Sequence, residues 1–286
     1  MKDQLKILFC GFGDIAQRAA ARTQHQSFGL RRNSEAIQGR PDSIVPIAAD
    51  MTDADALAAA LQQGFDVVVV TLTPGTFTEQ AYRDSYLAGA HALSQALSQT
   101  NPIIEHKPKL VIWVSSTSVY GHNSGDWVDE DTATNPQSFS GKLLLEAEQV
   151  IAALPCQHSI VRFSGIYGPG RTRMLGQVRA GKGRPAEPQQ WSNRIHSDDC
   201  GGVLVHLISR FAAGESVESL YVATDSAPVT QHDLRTWMAG EMQVALTDEI
   251  VEQKSVRRCS NQRLLDSGYD FIYPTYKEGY LALMAD

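Results

Sequence analysis

The chain has 286 residues, 43% of them hydrophobic, enough to bury a large core in one domain or in a main domain with a smaller lobe. Its 25 basic and 32 acidic residues give a formal charge of −7, and no basic run is present. That balance argues against general binding to nucleic acid or to an anionic membrane. Cys10, Cys156, Cys200 and Cys259 share no metal-like spacing and are too few for a disulfide scaffold, so reduced thiols, no metal and a cytoplasmic location are expected. The run Leu5–Cys10 is too short for the apolar part of an export signal, with Phe9 where a cleavage site needs a small residue. No apolar stretch approaches the ~18 residues of a membrane span.

Taken in chain order, short apolar runs alternate with helical patterns. Strands are predicted at Lys6–Cys10, Ser27–Leu30, Ile44–Ala48, Val67–Leu72, Leu110–Ser115 and His158–Phe163. Helices are predicted at Asp14–Gln24, Asp53–Gln62, Thr78–Gln99 and Ser138–Leu154. The run Val67-Val68-Val69-Val70 suits a strand covered on both faces, and the alternation indicates βαβ units. The fold class expected is α/β, a Rossmann-type doubly wound parallel sheet with a smaller C-terminal substrate lobe. In the last of these helices, Leu143, Ala147, Val150, Ile151 and Leu154 fall on one face, which should meet the sheet. After Gly165 the pattern changes to Gly/Pro turns and short mixed elements. Residues 1–165, with returning segments near 195–223, read as the main domain, and 166–194 with 224–286 as the smaller lobe.

Between the first strand and the first helix stands Gly11-Phe12-Gly13-Asp14-Ile15-Ala16, a G-x-G-x-x-A match. The first glycine permits a tight turn, the second lets backbone approach a pyrophosphate, and Ala16 allows close helix–strand packing. The alternative is a glycine-rich turn with no ligand. At the end of the second strand, where an acidic residue would hold an NAD ribose, the chain presents Arg31 and Arg32. A guanidinium pairs well with a phosphate, so NADP(H) is favoured over NAD(H), although Glu35 would serve NAD if the strand ran longer. A solvated loop is the competing reading of the two arginines. Thr71 and Thr73, at the end of the fourth strand, complete the cofactor-binding candidates with Asp50 and Met51.

Ser115-Ser116-Thr117-Ser118-Val119-Tyr120-Gly121 and the later Pro136–Glu148 stretch together resemble the active-site half of the extended short-chain dehydrogenase/reductase family, the group with the NAD-dependent sugar epimerases and dehydratases. That family reads S-S-x-x-V-Y-G and then P-x-S-x-Y-G-x-S-K. Here Ser116 matches its active-site Ser, whereas Ser140 stands at its Tyr and Leu144 at its Lys. The resemblance implies that Asp50-Met51 brackets adenine; a helix N-terminal turn capped by Asp50 or Thr52 is the alternative. Lys142 is no substitute for the missing Lys, because at about 100° per residue it lies about 200° around the helix from Leu144. Asn193–Asp199 matches the family's R-x-H-x-D-D segment, and the chain's end resembles an atypical subgroup without the Tyr–Lys pair.

In the family, Lys lowers the Tyr pKa from about 10 so that the phenol moves a proton. With that pair absent, Ser116 is expected to polarise a substrate oxygen, and Tyr167, His196 or Ser140 with a water to move the proton. Tyr167 would line the cleft or else pack as a structural aromatic; His196 would donate a proton or else bond backbone. Arg171, Arg173 and Arg194 would converge on an anion or lie on the surface. The function expected is an NADP-dependent oxidoreductase or epimerase on a small carbonyl or sugar-like molecule; the alternative is a non-catalytic NADP(H)-binding redox sensor. A small-molecule substrate, no nucleic acid and no membrane complete the expectations. A homodimer is compatible with the resemblance, which implies pairing through the helices at Thr78–Gln99 and Ser138–Leu154, though their polar outer faces suit water.

Overall fold

The computed structural model describes residues 4–33, 44–98, 105–121, 124–250 and 256–285. The chain begins β1 (Lys6–Cys10), α1 (Asp14–Ala20), β2 (Gln26–Arg31), β3 (Ile44–Ala48), α2 (Ala54–Leu61) and β4 (Val67–Val70). There follow α3 (Glu79–Tyr82), a π-helical turn at Arg83–Leu87, α4 (Ala88–Ala96), β5 (Leu110–Ser116), β6 (Trp127–Val128), α5 (Phe139–Ala152) and β7 (Gln157–Phe163). Next come β8 (Gly165–Tyr167), α6 (Arg173–Arg179), β9 (Lys182–Gly183), β10 (Trp191–Ser192), β11 (Arg194–His196), α7 (Ser197–Ala213) and β12 (Leu220–Ala223). The rest comprises β13 (Val229–Thr230), α8 (Gln231–Met242), β14 (Thr247–Asp248), β15 (Arg258–Cys259), α9 (Gln262–Asp266) and α10 (Tyr276–Ala285).

Seven strands form one sheet in the order β12-β7-β5-β4-β1-β2-β3, and β1 pairs in parallel with both β2 and β4. The order reverses at β1, so the C-terminal ends of β1 and β4 flank the crevice where doubly wound sheets take ligands. All four residues of β4 are buried, as expected of a strand covered on both faces. β3 lies at the edge, and its Pro46, which has no N–H to donate, is tolerated there.

Chain contacts divide the molecule into two compact units. The first comprises Met1–Val119, Pro136–Arg162 and Cys200–Tyr221; the second comprises Tyr120–Asn135, Phe163–Asp199 and Val222–Asp286. The segment Tyr120–Asn135, which the sequence reading left in the main domain, groups with the second unit. Its Tyr120 hydroxyl donates to the Asp129 carbonyl, and its Glu130 carboxylate accepts from the Val222 N–H at 2.7 Å.

The first unit's core gathers Leu8, Leu30, Leu57, Val68, Trp113 and Ile151 among others. Leu143, Ala147, Ile151 and Leu154 are buried along one face, as the helical spacing required. The same face also buries Glu148, which the pattern did not foretell. Arg162 on β7 grips it as a fork, Nη2 to Oε2 at 2.6 Å and Nε to Oε1 at 3.1 Å, and the Ser115 hydroxyl adds a bond of 2.6 Å. Both carboxylate oxygens therefore accept a hydrogen bond, the condition under which a buried ion pair is tolerated.

The second unit has its own core around Tyr167, Leu175, Val178, Leu234, Met238 and Tyr280. Buried Asp199 anchors the C-terminal segment there, accepting from the Ile272 and Tyr273 N–H groups at 2.7 and 3.0 Å and from the Tyr269 hydroxyl at 2.9 Å.

Candidate functional site

The glycine turn is built by its neighbours. Gly11 has φ of +73°, and a Cβ there would come within 3.1 Å of the Thr71 carbonyl, so the position requires glycine. Thr71 holds the turn from β4, its hydroxyl donating to the Gly11 carbonyl at 2.9 Å, while the Leu30 carbonyl on β2 accepts from the Gly11 and Phe12 N–H groups. Gly13 is the N-cap of α1 and carries no side chain across the helix start. The first turn's N–H groups at Ile15 and Ala16 have no partner within the helix, which is where a phosphate is bound in such turns.

A cleft of about 540 Å³ opens beside this turn, lined by Gly11, Gly13 and residues 30–33, 49–52 and 71–73, with Gly75, Ala81, Asp84 and Ser85. The structure thus gathers Gly11, Gly13, Arg31, Arg32, Asp50, Met51, Thr71 and Thr73 into one place. The other four residues of the loop support it from behind. Phe12 is fully buried against Gly29, where a Cβ would sit 2.8 Å from its ring; Ile15 and Ala16 are buried; and Asp14 accepts from Arg18 Nε at 2.8 Å. Asp50 spends one oxygen on the Thr52 N–H and hydroxyl, and the cap of α2 is Asp53, neither Asp50 nor Thr52. Glu35 lies outside the described residues.

Asn33, Ala81, Asp84 and Ser85 line the cleft without having been foreseen. Asp84 and Ser85 belong to the π turn at Arg83–Leu87, and Ala81 to the short helix just before it, where the single helix predicted over Thr78–Gln99 is interrupted. Ser85 donates its hydroxyl to the Ala81 carbonyl at 2.8 Å, occupying an acceptor in the widened turn. No spacing in the sequence encodes that widening.

The turn after β5 that follows Ser116 meets the start of α5, which carries Ser140, through Gly141 and the Ser118 carbonyl. Ser138 caps the helix, accepting from the Gly141 N–H at 3.1 Å, and its hydroxyl lies 3.1 Å from that of Ser140. Gly141 lets this turn close on the Ser118 carbonyl, which a Cβ would strike. Ser116, at the end of β5, is half-buried and accepts from the Ser118 N–H at 3.2 Å. Ser140 is 6% exposed, Leu144 is buried, and Lys142 is exposed on the other side of the helix.

Two acid/base candidates are placed otherwise than a cleft role needs. Tyr167, 1% exposed, stacks on Tyr280 at 4.4 Å, its hydroxyl sealed in the second unit's core against Gly279. Burial, with the nearby Asp225 carboxyl, pushes its phenol far above the usual range. His196 is 2% exposed, packs against Tyr167 and Tyr273, and accepts from the Asp198 N–H at 3.2 Å, which is the backbone-bonding alternative. Arg171 and Arg173 are exposed, and Arg194 is half-buried in β11.

Comparison with known proteins bears on this arrangement. The sequence model of the NAD(P)H-binding family matches residues 13–210. A solved structure from Methylobacillus flagellatus, provisionally named an NAD-dependent epimerase/dehydratase, is 36% identical over 99% of this chain and 98% of that one, with a TM-score of 0.79. Two more distant structures share the fold. UDP-glucuronic acid 4-epimerase from Bacillus cereus, solved with UDP-glucuronic acid and NAD, is 18% identical over 96% of both chains with a TM-score of 0.76. The human epimerase family protein SDR39U1, solved with NADPH, is 20% identical over 96% of this chain and 97% of that one, with a TM-score of 0.74. No curated protein matches the chain. With a family match over most of its length and a full-length relative above 30% identity, this chain belongs to the NAD(P)H-binding epimerase/dehydratase family, as an atypical short-chain dehydrogenase/reductase in which Ser140 and Leu144 replace the Tyr–Lys pair.

Proposed function

We propose that the protein is an NADP(H)-dependent oxidoreductase or epimerase acting on a small carbonyl or sugar-like molecule. The observation that carries the reading is that Arg31 and Arg32 line the same cleft as Gly11 and Gly13. The residues fit a dinucleotide: a glycine-only turn brings bare backbone to the cleft, and β2 ends on Arg31 in place of a carboxylate. Guanidinium groups favour a 2′-phosphate, and the described residues that follow β2, Arg32 and Asn33, include no acid to accept an NAD ribose. The relatives solved with NADPH and with NAD support a dinucleotide of either kind.

Bound NADP(H) supplies hydride exchange at its nicotinamide. Ser116 does the rest of the polarising: its oxygen already accepts from the Ser118 N–H, which leaves its own O–H to donate to a substrate oxygen. Ser140, joined to Ser138, passes a proton through water, and apolar Leu144 lends it no charge. Since positioned acid/base groups typically contribute about 10² to 10⁴ in rate, turnover is expected to be slow. The test is oxidation of NADPH by a panel of small carbonyl compounds. Turnover that is lost in Ser116→Ala, with NADPH affinity retained, supports the reading; NADPH binding with neither oxidation by any compound nor interconversion of any sugar epimers by the NADP⁺-loaded protein, or undiminished turnover in the variant, overturns it.

A further inference from the structure

We infer that the second unit carries an oxyanion site of its own, centred on Arg258, for the carboxylate or phosphate of a small molecule with a flat apolar body. The Arg258 guanidinium carbon lies 5.0 Å from the ring centroids of both Trp127 and Trp191, so two indoles stand close to it. Its Nε donates to the Gly125 carbonyl at 2.9 Å, and Gly125, with φ of +84°, adopts a conformation that favours glycine. The backbone is held as firmly. Arg258 N–H donates to the Asp126 carbonyl at 2.9 Å, and one side chain, Asn193, grips the peptides on either side. Its Nδ2 donates to the Arg257 carbonyl at 3.0 Å and its Oδ1 accepts from the Cys259 N–H at 2.7 Å.

Two indoles and the Nε edge thus fix the guanidinium, and its two terminal nitrogens make no hydrogen bond or ion pair with any described residue. Those nitrogens present parallel N–H donors in the planar fork that matches two oxygens of a carboxylate or phosphate. Fixing the side chain beforehand removes the rotamer entropy that an arginine otherwise loses on binding. Close to two indole rings and half-buried, it is less hydrated than in open water, which strengthens its hold on an anion. Trp127 is 54% exposed, an apolar surface for whatever the oxyanion is attached to. The inference does not depend on the cofactor reading, since none of these residues lines the glycine-loop cleft.

The test is titration of the full-length protein, without cofactor, by benzoate and by phenyl phosphate, followed by tryptophan fluorescence. A saturable change is expected for at least one of them; benzoate alone assigns a carboxylate, phenyl phosphate alone a phosphate. Arg258→Lys, which keeps the charge and loses the fork, is expected to weaken that binding about ten-fold or more, as for a lost charged hydrogen bond. The Arg31→Ala/Arg32→Ala variant is expected to leave it unchanged. Trp127→Ala, which removes only a largely exposed ring, is expected to weaken it as well, and decides the matter should Arg258→Lys not fold. No saturation with either probe, binding that is undiminished in both Arg258→Lys and Trp127→Ala, or binding lost with Arg31 and Arg32 would overturn the inference.

Discussion

Asp225 illustrates how much a single buried group contributes that no sequence pattern announces. One of its oxygens accepts from the Ala227 N–H at 3.1 Å and the other is buried without a partner. Burial pushes the carboxyl up to about 8, against the pull of the Ala227 bond and of Arg194. A carboxyl that binds its proton more tightly folded than unfolded stabilises the fold fully below the ordinary value near 4. That contribution declines as pH rises toward 8 and is level beyond. Asp225→Asn keeps the bond to Ala227 and cannot ionise, so its melting temperature is expected to gain on the wild type between pH 4 and 8; a constant difference across that range would contradict the assignment. The residues that were legible at this scale are those whose chemistry follows from position in the chain. Gly11, Gly13, Arg31 and Arg32 sit at strand ends, where βα turns place them beside one another. Tyr167 was legible as a packed aromatic or a cleft residue, and the structure takes the packed alternative; the choice depends on Gly279 and Tyr280, more than a hundred residues away.

At the scale of elements, α5 shows both what hydrophobic spacing reveals and what it hides. Its apolar face was readable; Glu148 on that face was not, because its partner Arg162 belongs to another element, β7. Glu148→Ala leaves Arg162 buried without its counter-charge and is expected to cost about 3–5 kcal/mol in denaturant unfolding. The paired change Glu148→Leu with Arg162→Met removes both charges and is expected to cost far less; equal losses would contradict the ion-pair account. Glycines within helices make a second contrast. Gly176 in α6 has open space where a Cβ would stand, so Gly176→Ala is expected to stabilise by about 0.5–1 kcal/mol. Gly141 in α5 abuts the Ser118 carbonyl, so Gly141→Ala is expected to destabilise by about 1–3 kcal/mol and to disturb the Ser116–Ser140 region. The same effect of both substitutions would show that helix propensity, not contact, governs the site. The π turn escaped the sequence reading for a related reason: a single widened turn carries no repeating spacing that a sequence could display.

For the whole molecule, the alternation of strand and helix patterns was sufficient to establish a parallel sheet and the strand end where the cleft opens, and six predicted strands all appear in the seven-stranded sheet. The seventh, β12, had been foreseen as a returning segment. Among the described residues no helix is long and apolar enough to cross a membrane. The path of the shorter elements was less readable, since two-residue strands such as β6 and β15 pair across 130 residues and carry no period of their own. A ligand that binds only the folded chain raises its melting temperature in step with ligand concentration. NADPH at a hundred times its dissociation constant is therefore expected to contribute about 2.7 kcal/mol, an effect that Arg31→Ala/Arg32→Ala reduces at equal concentration. The central claim is that the glycine-loop cleft binds a dinucleotide and that its two arginines select the 2′-phosphate. Calorimetric titration of the cofactor-stripped protein with NADPH, NADP⁺, NADH and NAD⁺ tests it most directly. Micromolar binding of the phosphorylated pair, with the unphosphorylated pair weaker by about ten-fold or more, is the expected result; binding of none of the four, or equal affinity for NADH and NADPH, would contradict it.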